Sequence, residues 1–137
     1  MALSITWTAK VDREVPVRFR TEMLARTART GQIVVEALKK NLTGSRTGRW
    51  YYKPGGGMYR ASAPGEYPAR RTGNLRAGVG SLWDPRNARV VIGTNVPYGV
   101  YLEKKPPSQG GRPWLKRAAD ESASRIRDVW KAPWRLT

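Results

Sequence analysis

The chain contains no cysteine and no histidine. Disulfides, thiolate nucleophiles, imidazole acid–base catalysis and Cys/His zinc sites are therefore excluded together. Acidic residues are scarce too: ten Asp and Glu stand against 26 Lys and Arg, a formal net charge of +16 with a pI near 11.1. Such an excess of cation favours polyanionic partners, whether nucleic acid, an acidic protein surface or anionic lipid. No apolar run approaches the roughly 18–20 residues needed to cross a bilayer. The N-terminus alternates apolar and polar residues, unlike a signal peptide. The expectation is a protein made in a cytoplasm, with no membrane partner, no cofactor, no metal and no catalytic residues.

What is present suits one globular domain spanning 1–137, with 39% hydrophobic and 26% charged residues. Leu3, Ile5, Trp7, Ala9 and Val11 alternate with polar residues, the period of a half-buried strand whose other face is wet or meets another subunit. A long helix is predicted from Val15 to Asn41, with Pro16 in its first turn. Its apolar stripe reads Val17, Thr21, Leu24, Ala28, Gly31, Val35, Leu38 and Leu42, with Arg18, Arg26, Arg29, Lys39 and Lys40 off it. Thr43-Gly44 ends the helix.

A long loop follows over 43–73, punctuated by Gly44, Gly48, Pro54-Gly55-Gly56-Gly57, Pro64-Gly65 and Pro68. It carries Arg46, Arg49, Lys53, Arg60, Arg70 and Arg71 against the single acid Glu66, interleaved with Trp50, Tyr51, Tyr52, Tyr59 and Tyr67. This mixture suits a protein interface, where Arg, Trp and Tyr are enriched, and it also suits a grip on single-stranded nucleic acid. The interface is the leading reading. Leu75 to Val79, extending toward Trp83, and Arg89 to Thr94 read as two strands joined at Asp84-Pro85-Arg86-Asn87 into an antiparallel hairpin. Tyr98 to Glu103 fits a strand or a helical turn, and 104–111 is a second flexible loop. A last helix begins at Arg112-Pro113, buries Leu115, Ala119, Ser122, Ile126 and Val129 (or Trp130), and stops at Pro133, leaving a tail over 131–137. The predicted class is α+β: a small antiparallel sheet packed on a long N-terminal and a C-terminal helix, in the order β-α-loop-β-β-α.

Four pieces, in order, carry a resemblance. They are Ser62-Ala63-Pro64-Gly65-Glu66-Tyr67-Pro68-Ala69, Arg71-Thr72-Gly73-Asn74-Leu75-Arg76, Val91-Ile92-Gly93-Thr94 with Tyr98 to Glu103, and Arg112-Pro113-Trp114-Leu115. Over about residues 60 to 120 the chain resembles the tail-completion or head–tail connector (neck) proteins of long-tailed double-stranded DNA phages. That family shows Pro-Gly-Glu-x-Pro, Thr-Gly-x-Leu, Val-Gly-Thr/Ser, Tyr-Ala-x-x-x-Glu and Arg-Pro-Phe-Leu in this order. Here Trp114 replaces the aromatic Phe, and Glu103-Lys104-Lys105-Pro106 stands where the family has Glu-Phe-Gly-Thr. The motif residues are thus Pro64, Gly65, Glu66, Pro68, Thr72, Gly73, Leu75, Gly93, Tyr98, Glu103, Arg112, Pro113 and Trp114.

The resemblance implies a non-enzymatic virion protein forming a ring, most plausibly hexameric, that completes the tail or joins it to the head. It implies as partners further copies, neighbouring connector, tail-terminator or tail-tube proteins, and non-specific contact with packaged DNA. A ring needs two unlike complementary faces on each subunit. The expected faces are the first strand, with Leu3, Ile5 and Trp7, and the loop, with Arg46, Arg49, Trp50, Tyr51, Tyr52, Tyr59, Arg60, Tyr67, Arg70 and Arg71. Two alternatives come from the residues themselves. A basic DNA-binding module explains the charge without a virion role, although no base-reading motif is present. A metal-dependent nuclease would need Asp84 and Glu103-Lys104-Lys105 to share a Mg²⁺ site.

Overall fold

A computed structural model of the chain describes residues 2–6 and 17–135. The second half of the expected first strand, with Trp7, Ala9 and Val11, and the expected helix start at Val15 and Pro16 lie outside the described residues. So do the last two residues of the expected tail.

The chain is an α+β fold. Strand β1 (Ala2–Thr6) lies antiparallel to β5 (Arg89–Thr94), which pairs antiparallel with β4 (Val79–Asp84), giving the order β1-β5-β4. Helix α1 (Val17–Asn41) covers one face of this sheet. The expected β4–β5 hairpin is present, and its turn is tied by Asp84, whose carboxylate accepts from the Arg86 and Asn87 amides and from the Asn87 side chain. Those bonds, the Asn87 side chain first, hold the Asp84 pKa below its ordinary value.

Leu3 and Ile5 pair with Ile92 and Val90 and pack, half-buried, on the chain's own core. This corrects their expected place at a partner contact: the period of two puts Ala2 and Ser4, not Leu3 and Ile5, on the strand's open face. The core joins Val34, Leu38 and Leu42 with Leu75, Val90, Ile92, Trp114 and Leu115.

The buried face of α1 also departs from the expected stripe. It runs through Met23, Arg26, Thr27, Thr30, Gly31, Ile33, Val34 and Leu38, while Val17 and Thr21 are exposed. The discrepancy arises because three of the buried positions are polar, Arg26 bonding across the fold and the two threonines locally. Thr27 and Thr30 return their hydroxyls to the Met23 and Arg26 carbonyls, each four residues back, at 2.9 and 2.8 Å. Gly31 lets β5 approach, since an added Cβ would lie 2.7 Å from Val90 Cγ2.

The 43–73 segment is not a structureless loop. It contains a second two-stranded sheet, β2 (Trp50–Tyr52) with β3 (Met58–Arg60), in the register Trp50↔Arg60, Tyr51↔Tyr59 and Tyr52↔Met58. Leu75 and Ala77, read as strand, lie in the helical turn α2 (Asn74–Ala77), launched by Gly73 at φ 83°. Tyr98 to Glu103 is helical within α3 (Pro97–Lys104), and a 3₁₀ turn follows over Pro107–Gln109. The last helix is two, α4 (Leu115–Glu121) and α5 (Ala123–Lys131), meeting at Ser122. Helix α4 begins later than Arg112-Pro113, with Trp114 as its N-cap residue at φ −137°.

Candidate interaction arm

The motif residues converge on the root of the β2–β3 arm and on the corner beneath it. Pro64 and Gly65 form the turn that returns the Glu66 amide to the Ala63 carbonyl, with Gly65 at φ 87°. The Glu66 carboxylate then accepts from the Thr47 hydroxyl and from the Thr47 and Ala63 amides, the latter two at 3.1 and 2.8 Å. The Thr47 hydroxyl, then the Ala63 and Thr47 amides, hold its pKa down at about 2. One carboxylate thus joins both chain segments that leave the arm.

Arg46 donates Nε to the Tyr67 carbonyl at 2.8 Å and Nη2 to the Pro68 carbonyl at 3.1 Å, and also reaches the Asn41 carbonyl. Tyr67, half-buried, donates its hydroxyl to Glu121 at 2.6 Å beneath the Arg117 guanidinium. Burial first, and the Glu121 carboxylate second, push its pKa up. Arg60 donates to the Gly48 and Thr47 carbonyls at 3.0 and 3.3 Å. Arg46 and Tyr67 are therefore fasteners of the arm root and not the free contact residues expected of them. The partners named here lie 5 to 54 positions away in the chain, so the alternation of residues gives no sign of them.

Arg112 reaches across to Ser62, donating to its hydroxyl and its carbonyl, both at 3.1 Å. Arg117 donates to the Gly65 carbonyl at 2.8 Å. Below, Thr72 accepts the Asn74 amide, and the Tyr98 hydroxyl accepts the Leu75 amide at 3.0 Å. Gly93 stands in register between Ala2 and Gly80. Glu103 caps α4: its carboxylate accepts the amides of Trp114, Leu115 and Lys116 at 2.7, 2.9 and 3.1 Å. These are the orphan donors of a helix's first turn, and a carboxylate there also suits the helix dipole. Pro113, which lacks an amide proton, leads into this turn. Asp84 and Glu103 are each occupied by backbone amides in different parts of the fold, not gathered around one site. Among the described residues no three acidic side chains are placed to hold a metal.

What the root leaves exposed is the arm itself, and its two faces differ. On one face Trp50, Tyr52 and Met58 are 59%, 81% and 47% exposed, with Arg60 lying 5.7 Å from the Trp50 ring. On the other, Tyr51 and Tyr59 stack with centroids 5.8 Å apart, and the Arg71 guanidinium lies 5.8 Å from the Tyr59 ring. Arg49 and Lys53 share this second face by the two-residue period of the strand. Arg70 is exposed beside Gly73.

The chain matches no family model, no curated protein and no solved structure.

A second open surface lies on the three-stranded sheet. Opposite the helix-covered side, Ala2, Gly93 and Gly80 make one row and Val91 and Leu82 the next, lining a groove of about 570 Å³. Leu82 is 75% exposed. No described residue covers this face; sequence reading placed Gly80 and Gly93 in strands but could not show that they floor one open side.

The acids, meanwhile, are engaged within the fold. Glu22 pairs with Arg26, Glu36 with Arg29 and Arg125, Asp120 with Lys116, and Glu121 with Arg117. Together with the roles of Glu66, Asp84 and Glu103, this leaves Asp128 as the one acid among the described residues without a described partner. No helix among the described residues is long and apolar enough to cross a membrane.

Proposed function

We propose that this chain is a non-enzymatic structural subunit of a phage virion, assembled as a ring, most plausibly of six copies, at the top of the tail or the head–tail junction. The observation that carries the reading is the pairing of two separate unlike surfaces. One is the apolar face of the arm, with Trp50, Tyr52 and Met58; the other is the open sheet face with Leu82 and Val91. A heterologous ring joins two such faces head to tail, and exposed apolar patches of this kind mark interaction sites. The ordered motifs support the same reading, because their residues hold the arm at its root: a fixed arm loses less freedom on docking than a floppy one. Neighbouring connector or tail proteins would take the surfaces that ring closure leaves open.

Native mass spectrometry and negative-stain electron microscopy of the purified chain test this. The expected result is a closed ring, reduced to single copies by Trp50→Ser with Tyr52→Ser while the far-ultraviolet circular dichroism stays unchanged. A wild-type chain that remains monomeric at every micromolar concentration tried would sink the reading. The cationic face of the same arm favours contact with nucleic acid as well, whether or not a ring forms.

A further inference from the structure

We propose that the Tyr51 face of the arm is a nucleic-acid site, in which Arg49, Lys53 and Arg71 bind backbone phosphates around the stacked Tyr51–Tyr59 pair. The inference stands apart from ring assembly, which uses the opposite face of the arm.

The arginines of this region divide by what they touch. Arg46, Arg60, Arg112 and Arg117 are each bonded to backbone carbonyls and build the root. The side chains of Arg49, Lys53 and Arg71 make no described hydrogen bond or ion pair, so they serve no such fastening. They are gathered on one face by strand alternation and by the stacking of Arg71 toward Tyr59. The one acid of the arm, Glu66, is engaged by Thr47 and Ala63. A cluster of like charges with no internal counter-ion is open to an anionic partner from outside.

The described residues of a second copy do not supply it. Its described acids are taken up by their own partners, and Asp128 sits on α5 between Arg125, Arg127 and Lys131. This favours a different molecule carrying several negative charges in a row. Phosphodiester chains have that spacing, and the phenol hydroxyls of Tyr51 and Tyr59, with no described hydrogen bond, remain as donors to phosphate oxygens. Tyrosine rings flanked by guanidinium groups also suit the faces of unpaired bases. The net charge of +16 attracts such a polymer from a distance.

Fluorescence anisotropy tests the site with the full chain, a labelled single strand and a blunt duplex of equal length, each titrated at several salt concentrations. Wild type should bind with log affinity falling linearly in log salt. The variant Arg49→Gln/Lys53→Gln/Arg71→Gln should lose three phosphate contacts, so its slope should shrink by about 2.7 on duplex and about 2.1 on the single strand. In Tyr51→Leu/Tyr59→Leu, a loss of affinity on the single strand alone would assign the tyrosines to bases, and equal losses on both would assign the site to the backbone alone. Both outcomes support the proposal. Removing the same charge at the far end of α1 and on α5, with Arg18→Gln/Arg127→Gln/Lys131→Gln, should change either slope by less than about one.

An unchanged slope in the arm variant, or an equal loss in the control, overturns the proposal. So does poly-glutamate binding as tight as DNA binding with the same loss in the arm variant, which would assign the face to an acidic protein. Native mass spectrometry of the arm variant reads its copy number separately. A ring that forms normally but does not bind DNA refutes this site and leaves the assembly reading intact; a DNA-binding monomer does the reverse.

Discussion

Trp114 has no exposed surface, and its indole N–H donates to the Gly99 carbonyl at 2.9 Å. A Cβ added to Gly99 would lie 2.8 Å from Leu75 Cδ1, 3.0 Å from Thr94 Cγ2 and 3.3 Å from Trp114 Cζ2. The small residue at 99 makes room for the large ring at 114, so the two positions are matched in volume. Gly99→Ala alone should cost about 1–3 kcal/mol by overpacking, and Trp114→Phe about 1–3 kcal/mol through the lost hydrogen bond and the void. Combined, they should cost less than the sum, because each relieves the other. Urea unfolding of the two single variants and the double variant measures the coupling; strict additivity would refute compensation. At this scale Trp114 was legible as an aromatic at the start of the last helix, but its partner was not, since residues 15 apart meet only once α3 and α4 pack.

The arm is an element that cannot stand alone. A two-stranded hairpin is marginal in water, so its shape depends on the root, and Glu66 is the titratable link there. Its folded pKa of about 2 lies below the ordinary 4.5. The ionised form therefore stabilises the root fully above pH 4.5, and that contribution is lost as the pH falls from about 4.5 through about 2. The amide resonances of Thr47 and Ala63 should titrate with a midpoint near 2 and lose this transition in Glu66→Gln; a midpoint near 4.5 would show that the three bonds do not hold in solution. Strand Arg89–Thr94 was readable because Val90 and Ile92 alternate on its buried face, whereas half of the buried face of α1 is polar or glycine and Val79–Asp84 begins four residues after the expected start at Leu75. The arm was not readable, because strands of three residues with both faces open leave no contrast between inside and outside. Arg71 and Arg49 were rightly grouped with the aromatics by composition, yet only the register shows which of them share a face.

For the molecule as a whole, Arg26 binds its two ends. It is 7% exposed, pairs with Glu22 at 3.2 Å, and donates to the carbonyls of Val129 and Pro133, while its guanidinium lies 4.3 Å from the Trp134 ring. Phe19 stacks on Trp134 from α1, and the Trp130 indole donates to Thr30 at 2.9 Å. Arg26→Leu strands two carbonyls and a carboxylate, and should cost about 2–4 kcal/mol, against less than about 0.5 kcal/mol for exposed Arg18→Leu. Denaturant unfolding followed by tryptophan fluorescence compares them, and equal effects would deny the clamp. A helical wheel sorts Arg26 with the solvated arginines, because charge alone cannot reveal that carbonyls from the other end of the chain await it.

At the tip of the arm, Gly55, Gly56 and Gly57 have φ of 88°, 109° and 81°, and an added Cβ would meet nothing within 4 Å. Backbone conformation, not crowding, keeps side chains out, so an inserted residue is better tolerated there than a replaced one. In a chain with no cysteine, a single Cys placed between Gly55 and Gly56 becomes the sole thiol. Dye pairs attached to it in adjacent copies would turn the tip into a molecular ruler, reporting how far apart neighbouring arms stand.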